Sequence, residues 1–560
     1  MKFNDMPYKR VDFREVENGF KNLISEFEKA DSKEKQFEVH KKFYKLVDGV
    51  ESAMTIAYIH HDIDTTDEFY DKEREYYDQQ GPILNNLIIE YQKKVYESPY
   101  REYLEDQIGK PAFVNMELAK KAFDEKIIPL MQKENELVSE YDKLIAGAKI
   151  VYDGKELNLS LLKPYMVSKD RRIREEAWGK FETFFRENGE KLDQIYDDMV
   201  KNRTEQARQL GYKDYVELGY YRMMRNCYGK EEVEEFRNQI KKDLVPFVEE
   251  LNEKRRKRLG VDQLKGFDEK VYFKDGNPSP YGTPEEIMRA GQKMYEELSE
   301  ETKEFIDFMI ENELFDVLGR KTKKAGGYMT YIPDYRSPFI FANFNGTSGD
   351  IDVITHECGH AFQGYLSGKD PIKEHADITM ETAEIHSMSM EFFTEKWMDL
   401  FFKDPEEYKK MHLESALAFI PYGCMVDEFQ HIVYENPEYT PEQRKKAWSD
   451  LEKEYKPYLD FSGLDYFEKG GYWQQQTHIY NSPFYYIDYC IAQVCALQYK
   501  VMMDENYEKA WGSYLKLCQL SASDFFVNMI REAGLRNPFE KGCIKDLVHR
   551  LKEEIKYEEM

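Results

Sequence analysis

FREVENGFKNLISEFEKA, residues 13–30, sets the pattern for most of this chain. Val16, Phe20, Leu23, Ile24 and Phe27 recur at three- and four-residue steps, which gives a helix one apolar face and one charged face. The same periodicity runs through residues 36–59, 66–98, 115–147 and 170–208, with few prolines inside. Thr283-Pro284-Glu285-Glu286 opens another helix: a hydroxyl cap, a proline in the first turn, then acids at the positive end of the dipole. That helix is predicted to run to about residue 298, with a further helix after it. The fold class read from this pattern is mainly α.

Three stretches break the periodicity. Residues 148–160, AKIVYDGKELNLS, place Asp153-Gly154 between alternating apolar residues, the signature of a β-hairpin. Residues 261–282, including DGNPSPYG, are rich in turn formers and are expected to hold a strand or two. Residues 325–349, AGGYMTYIPDYRSPFIFANFNGTSG, mix Gly, Pro and β-formers and predict short strands and loops, a small sheet. A boundary near residues 165–195 divides the chain into an N-terminal helical lobe, 1–180, and a second lobe, 181–560.

Charge narrows the partners. With 107 acidic against 80 basic residues, the net charge of −27 repels nucleic acid and anionic membrane surfaces. The seven cysteines are odd in number and lack C-x-x-C spacing, which suits reduced thiols better than a disulfide framework. The opening MKFNDMPYKRVDF carries no apolar run of a signal peptide, and no stretch approaches the roughly 18 apolar residues of a spanning helix. A cytoplasmic location is expected.

Chemistry enters directly after the strand-like stretch, at Asp350-Ile351-Asp352-Val353-Ile354-Thr355-His356-Glu357-Cys358-Gly359-His360. On a helix, His356 and His360 lie one turn apart on one face, so both imidazoles can reach a single Zn²⁺. Glu357 projects at another angle, where it can take a proton from water at the metal without ligating it. Residues 380–392, METAEIHSMSMEF, supply Glu381, Glu384 and Glu391 at helical spacing. Glu384 and Glu391, seven apart, share nearly one face; one can complete the ligand set and another can orient a ligand imidazole. Asp352, one turn before His356, is a second candidate for that orienting role, with an exposed first-turn acid as the alternative.

His356-Glu357-Cys358-Gly359-His360, followed by Glu384 and then Glu391, resembles the thimet oligopeptidase and oligoendopeptidase F family, with supporting matches in SLLKPYMVSKDRRIREEAW, DGNPSP and PFIFANFNGT. The resemblance implies zinc held by His356, His360 and Glu384, with Glu357 as base. It also implies an elongated multi-helix shell around a deep channel, with short peptides as substrates. In THIYNSPFYYIDYCIAQ, residues 477–493, it points to His478 and closely spaced tyrosines as donors to the substrate carbonyl and its oxyanion. Tyr485, Tyr486 and Tyr489 are the candidates. Tyr486 with Tyr489 is preferred, because residues three apart can share a helix face. Residues 338–345 are expected to present a strand edge to an extended peptide. One rival is a metallocarboxypeptidase of the same ligand set; another is a peptide-binding helical scaffold that has lost catalysis, against which the intact Glu357 argues; a third is a structural helical protein with a chance motif, which would bind no stoichiometric zinc.

Overall fold

Helices account for nearly all the regular structure of the computed structural model, which describes residues 1–558. The first is Phe13–Lys29, capped by Asp12, whose side chain accepts from the Arg14 N–H at 2.9 Å. It packs on Lys33–Ile63 and Glu68–Tyr96, where Phe20 meets Phe43 edge to face and Phe43 stacks on Tyr91, all three with no exposed surface. Burial of each such ring contributes about 1.5–3 kcal/mol. These side chains belong to a core of their own, spanning residues 13 to 116, beside a larger core that runs through the rest of the chain.

Two long periodic runs are each split into two helices. Residues 115–147 break between Lys110–Ala122 and Ile128–Ala146, and residues 170–208 break at Asn188, between Arg171–Glu187 and Gly189–Gln209. The predicted helix at Thr283 is Pro284–Leu298, its capping box formed by Thr283 and Glu286, and Glu300–Glu311 follows it.

The hairpin pairs β1 (Ile150–Tyr152) with β2 (Lys155–Leu157), and Asp153 and Gly154 both take positive φ, 50° and 70°. Residues 261–282 form no strand, contrary to expectation. Asn277 replaces a strand partner there: its side chain accepts from the Tyr272 N–H at 2.8 Å and donates to the Lys270 carbonyl at 2.7 Å, folding the segment on itself.

The small sheet has three strands, β3 (Phe315–Leu318), β4 (Tyr328–Ile332) and β5 (Ser337–Phe344), in the order β3-β5-β4. β5 is parallel to β3 and antiparallel to β4. It is therefore central and largely buried, which corrects the expectation that residues 338–345 offer a free edge: both its hydrogen-bonding edges are occupied. No described helix is long and apolar enough to cross a membrane. All seven cysteines are free thiols.

Candidate metal centre

β5 leads through Asn345–Ser348 into the motif helix, Gly349–Ser367. Asp350 fixes this corner. Its carboxylate accepts the N–H groups of Asn345 at 2.9 Å and Gly346 at 2.8 Å, so it closes the loop as well as sitting at the helix start. Two residues later, Asp352 neither orients His356 nor stands exposed. It accepts the Tyr408 hydroxyl at 2.6 Å, and burial pushes its carboxyl up to about 6.

The second helix of the site, Met380–Phe393, crosses the motif helix at Gly359. A Cβ at Gly359 would stand 2.6 Å from both the His386 carbonyl oxygen and the Ser387 Cα. Only glycine permits so close a crossing, and the crossing brings Glu384 up to the two histidines. Nε2 of His356 and Nε2 of His360 each lie 3.3 Å from Glu384 Oε2. The three ligand atoms fall within 4.8 Å of one another, the only such cluster of His, Cys, Asp or Glu among the described residues.

These residues fit a divalent ion. Two imidazoles and one carboxylate form the donor set of catalytic zinc sites that keep a position open. Glu384 is 1% exposed, and a carboxylate so deeply buried needs a cation beside it. Burial alone would raise its carboxyl, yet the neighbouring His360 and His356 hold it far below the ordinary value. Ser387 Oγ donates to Glu384 Oε2 at 3.0 Å, and the Tyr485 hydroxyl donates to Oε1.

Behind the ligands runs a line of charge. His356 Nδ1 lies 2.6 Å from Glu391 Oε1, which leaves Nε2 free to face a metal. The other oxygen of Glu391 meets His412 Nε2 at 2.8 Å, and His412 Nδ1 meets Glu395 at 3.1 Å. Burial opposes charge on both groups, but the hydrogen bonds prevail: Glu391 is held at about 2 and His412 is pushed up to about 10. Glu391 thus occupies the orienting position for which Asp352 was the other candidate.

Glu357 lies on the same turn, 8% exposed. Its Oε1 is 3.8 Å from where a Cβ on Gly327 would stand, so its carboxylate faces the start of β4. Burial raises its carboxyl above the ordinary value, against the pull of His356 and His360. An elevated carboxyl is suited to accept and return a proton near neutral pH.

The aromatic cluster comes from residues 476–489. Phe484 holds a left-handed φ of 66° just before the helix Tyr486–Leu520. Gln430 accepts its N–H at 3.0 Å and Arg225 donates to its carbonyl. That pinned turn points Tyr485 at Glu384. The rings of Tyr485 and Tyr489 lie 4.9 Å apart, and His478 Nε2 is 3.3 Å from the Tyr489 hydroxyl. Tyr486 packs its ring 5.0 Å from that of His478 and 5.8 Å from that of Tyr422. Of the three candidate tyrosines, it is Tyr485 that touches a ligand side chain, and nothing in the local spacing signals the turn responsible.

His478 is held in one tautomer. Gln475 Nε2 donates to the Tyr422 hydroxyl at 3.0 Å, and that hydroxyl donates to Gln476 Oε1 at 2.8 Å. Gln476 must then turn its amide nitrogen to His478 Nδ1, 2.9 Å away. Nδ1 accepts, so the ring proton sits on Nε2. Burial lowers this imidazole to about 4, so it is neutral and a donor at pH 7.

Residues 164–548 match peptidase family M3, and residues 3–123 match the peptidase M3 N-terminal domain. The chain belongs to peptidase family M3. An oligoendopeptidase F homolog of Borreliella burgdorferi is 21% identical to this M3 peptidase over 584 residues, covering 96% of this chain and 94% of the relative. Among solved structures, PZ peptidase A with an inhibitor superposes with a TM-score of 0.98 at 47% identity, over 99% of both chains. Oligoendopeptidase-F from Enterococcus faecium shares the fold, with a TM-score of 0.62 at 15% identity over 97% of this chain and 98% of that one. As an M3 peptidase the protein is a metallo-oligopeptidase, an enzyme that hydrolyses peptides.

Proposed function

We propose that this M3 peptidase is a zinc-dependent endopeptidase of short oligopeptides, with His356, His360 and Glu384 holding the ion and Glu357 acting as base. One observation carries the reading: ligand atoms of His356, His360 and Glu384 fall within 4.8 Å of one another, with the buried carboxylate of Glu357 on the same turn of the motif helix. When bound, the ion supplies Lewis acidity that makes water a nucleophile near neutral pH and polarises the scissile carbonyl. Glu357 takes the proton of the attacking water and returns it to the leaving amine. His478, through Nε2–H, and the hydroxyl of Tyr489 beside it donate to the oxygen on which negative charge grows. Tyr485 braces Glu384, Glu391 orients His356, and Tyr486 packs against the His478 ring.

We further propose the division into a lobe of residues 1–180 and a catalytic lobe of residues 181–560. The separate core of side chains between residues 13 and 116 supports an N-terminal lobe, and bridges from Lys373 to Asp48 and Glu51 and from Lys45 to Asp334 join it to the rest. Seven unpaired thiols support a reducing, cytoplasmic setting.

The test is cleavage of an internally quenched oligopeptide by the protein as purified, after chelation, after return of zinc, and by a folded Glu357→Gln variant. The expected result is internal cleavage that chelator abolishes and zinc restores, with the variant reduced by about 10²–10⁴ in kcat. Cleavage that survives chelation, or a variant as active as the parent, would overturn the assignment.

A further inference from the structure

A cavity of about 180 Å³ opens beside the aromatic cluster, with Tyr486, Tyr422 and Gln476 in its wall. The same wall therefore includes the amide that orients His478. The lining is also basic: Arg255, Lys270 and Lys456 share it with a single carboxylate, Glu269, in a protein whose net charge is −27, and Lys456 Nζ lies 5.2 Å from the Tyr422 ring. Arg255 and Lys456 are 4% and 3% exposed. Lys456 pairs with the Glu269 carboxylate and Arg255 donates Nη1 to the Glu269 backbone carbonyl, which leaves Arg255 Nε buried without a partner. Lys270 is an exposed side chain. Neighbouring protein lowers its ammonium below the usual lysine value, and Lys456 and Arg255 lower it further. Lys163 stands near enough to Lys270 to be lowered by it as well.

Like charges gathered around one cavity repel one another; Glu269 is the one carboxylate in the wall, and the buried Glu452 near Lys456 offsets part of the charge. An unpartnered guanidinium nitrogen adds the cost of a buried donor left unsatisfied. The repulsion falls when a further carboxylate enters the cavity. Peptides carry that group at the C-terminus and on acidic side chains.

We infer that this cavity is a carboxylate-binding subsite that anchors one end of the peptide substrate through Lys270 and Arg255. The inference rests on the peptidase reading for the source of its ligand. Two side chains join the subsite to the reacting centre: Gln476 lines the cavity and holds His478, and Tyr486 lines it and packs against the His478 ring. A carboxylate anchored here fixes how many residues separate that group from the scissile bond, so the subsite measures substrate length from one end.

Three quenched peptides of one core sequence test this: a free acid, its C-terminal amide, and the amide carrying glutamate as last residue. Each is assayed with the wild-type enzyme and with Lys270→Gln, chosen because Lys270 has no ion pair among the described residues, whereas Lys456→Gln would unpair Glu269. The free acid is expected to show a KM about tenfold below that of the amide, an advantage that Lys270→Gln removes without changing kcat. A glutamate amide that matches the free acid would place an acidic side chain in the subsite; one that matches the plain amide would place the α-carboxylate there. Equal KM for all three, or an equal effect of Lys270→Gln on all three, overturns the inference. Calorimetric binding of acetyl-trialanine, as acid and as amide, to metal-stripped protein separates the two readings. Tighter acid binding without any cleavage would keep the subsite and sink the peptidase reading; cleavage with equal binding would do the reverse.

Discussion

Replacing Gly359 with alanine should take the metal away from a protein that remains folded. The added Cβ would sit 2.6 Å from the His386 carbonyl oxygen and 2.6 Å from the Ser387 Cα, both backbone atoms of the crossing helix. Neither can rotate aside, so relief requires the helices to separate by roughly 0.8 Å to reach ordinary contact, an overpacking cost of about 1–3 kcal/mol. Glu384 rides on the displaced segment, two residues before His386. Metal–ligand distances tolerate about 0.2 Å, so a shift four times larger pulls Glu384 out of a geometry shared with His356 and His360. The expected loss of metal affinity is at least the 10–100-fold seen when supports of ligands are removed. Competition against a chromophoric chelator reads the affinity, and far-UV circular dichroism with thermal unfolding checks the fold. Affinity within twofold of the parent would show that the crossing does not position Glu384, and the argument from close approach would fail.

Glu391→Gln, which keeps shape but removes the charge between His356 and His412, should weaken metal binding by about 10–100-fold; unchanged affinity would mean that another group fixes the His356 ring. Glu134 is a separate, structural case. It is partly buried, and Arg203 at 2.6 Å and Arg222 at 3.3 Å hold its carboxyl at about 2 against a usual 4.5. A depressed carboxyl contributes stability that is present above about 4.5 and lost as pH falls through 2. Glu134→Gln should therefore cost about 3 kcal/mol at pH 7 and flatten the fall in Tm between pH 4.5 and 2; an undiminished acid slope would assign it to other carboxylates.

Local chemistry was legible in the sequence and long-range partnership was not. The Thr283 capping box, the Asp153-Gly154 turn and the one-turn spacing of His356 and His360 each depend on residues within five positions, so spacing alone locates them. β3 escaped because Phe315–Leu318 has no alternation, being partly exposed throughout, and pairs in parallel with a strand about 25 residues later. Its pairing is what makes β5 central instead of an edge. Asp352 found Tyr408, on the helix Pro405–Glu435, instead of a neighbour one turn away. His412 and Glu395, which continue the line behind Glu391, carry no ligand spacing at all. Between Tyr485 and Tyr486 the choice of contact is made at Phe484, whose left-handed backbone is held by Gln430 and Arg225, residues that are distant in sequence.

The chain of side chains from Gln475 through Tyr422 and Gln476 to His478 works as a one-way conductor of polarity. Each member can point its dipole in two directions, but the direction taken by one sets the others, and the imidazole at the near end inherits it. Reversing the chain would turn the histidine's face toward the site from proton to lone pair, from a surface that welcomes an anion to one that rejects it. The sign of the electric field felt by a passing carbonyl is thereby a property shared by four side chains, three of them standing behind the imidazole.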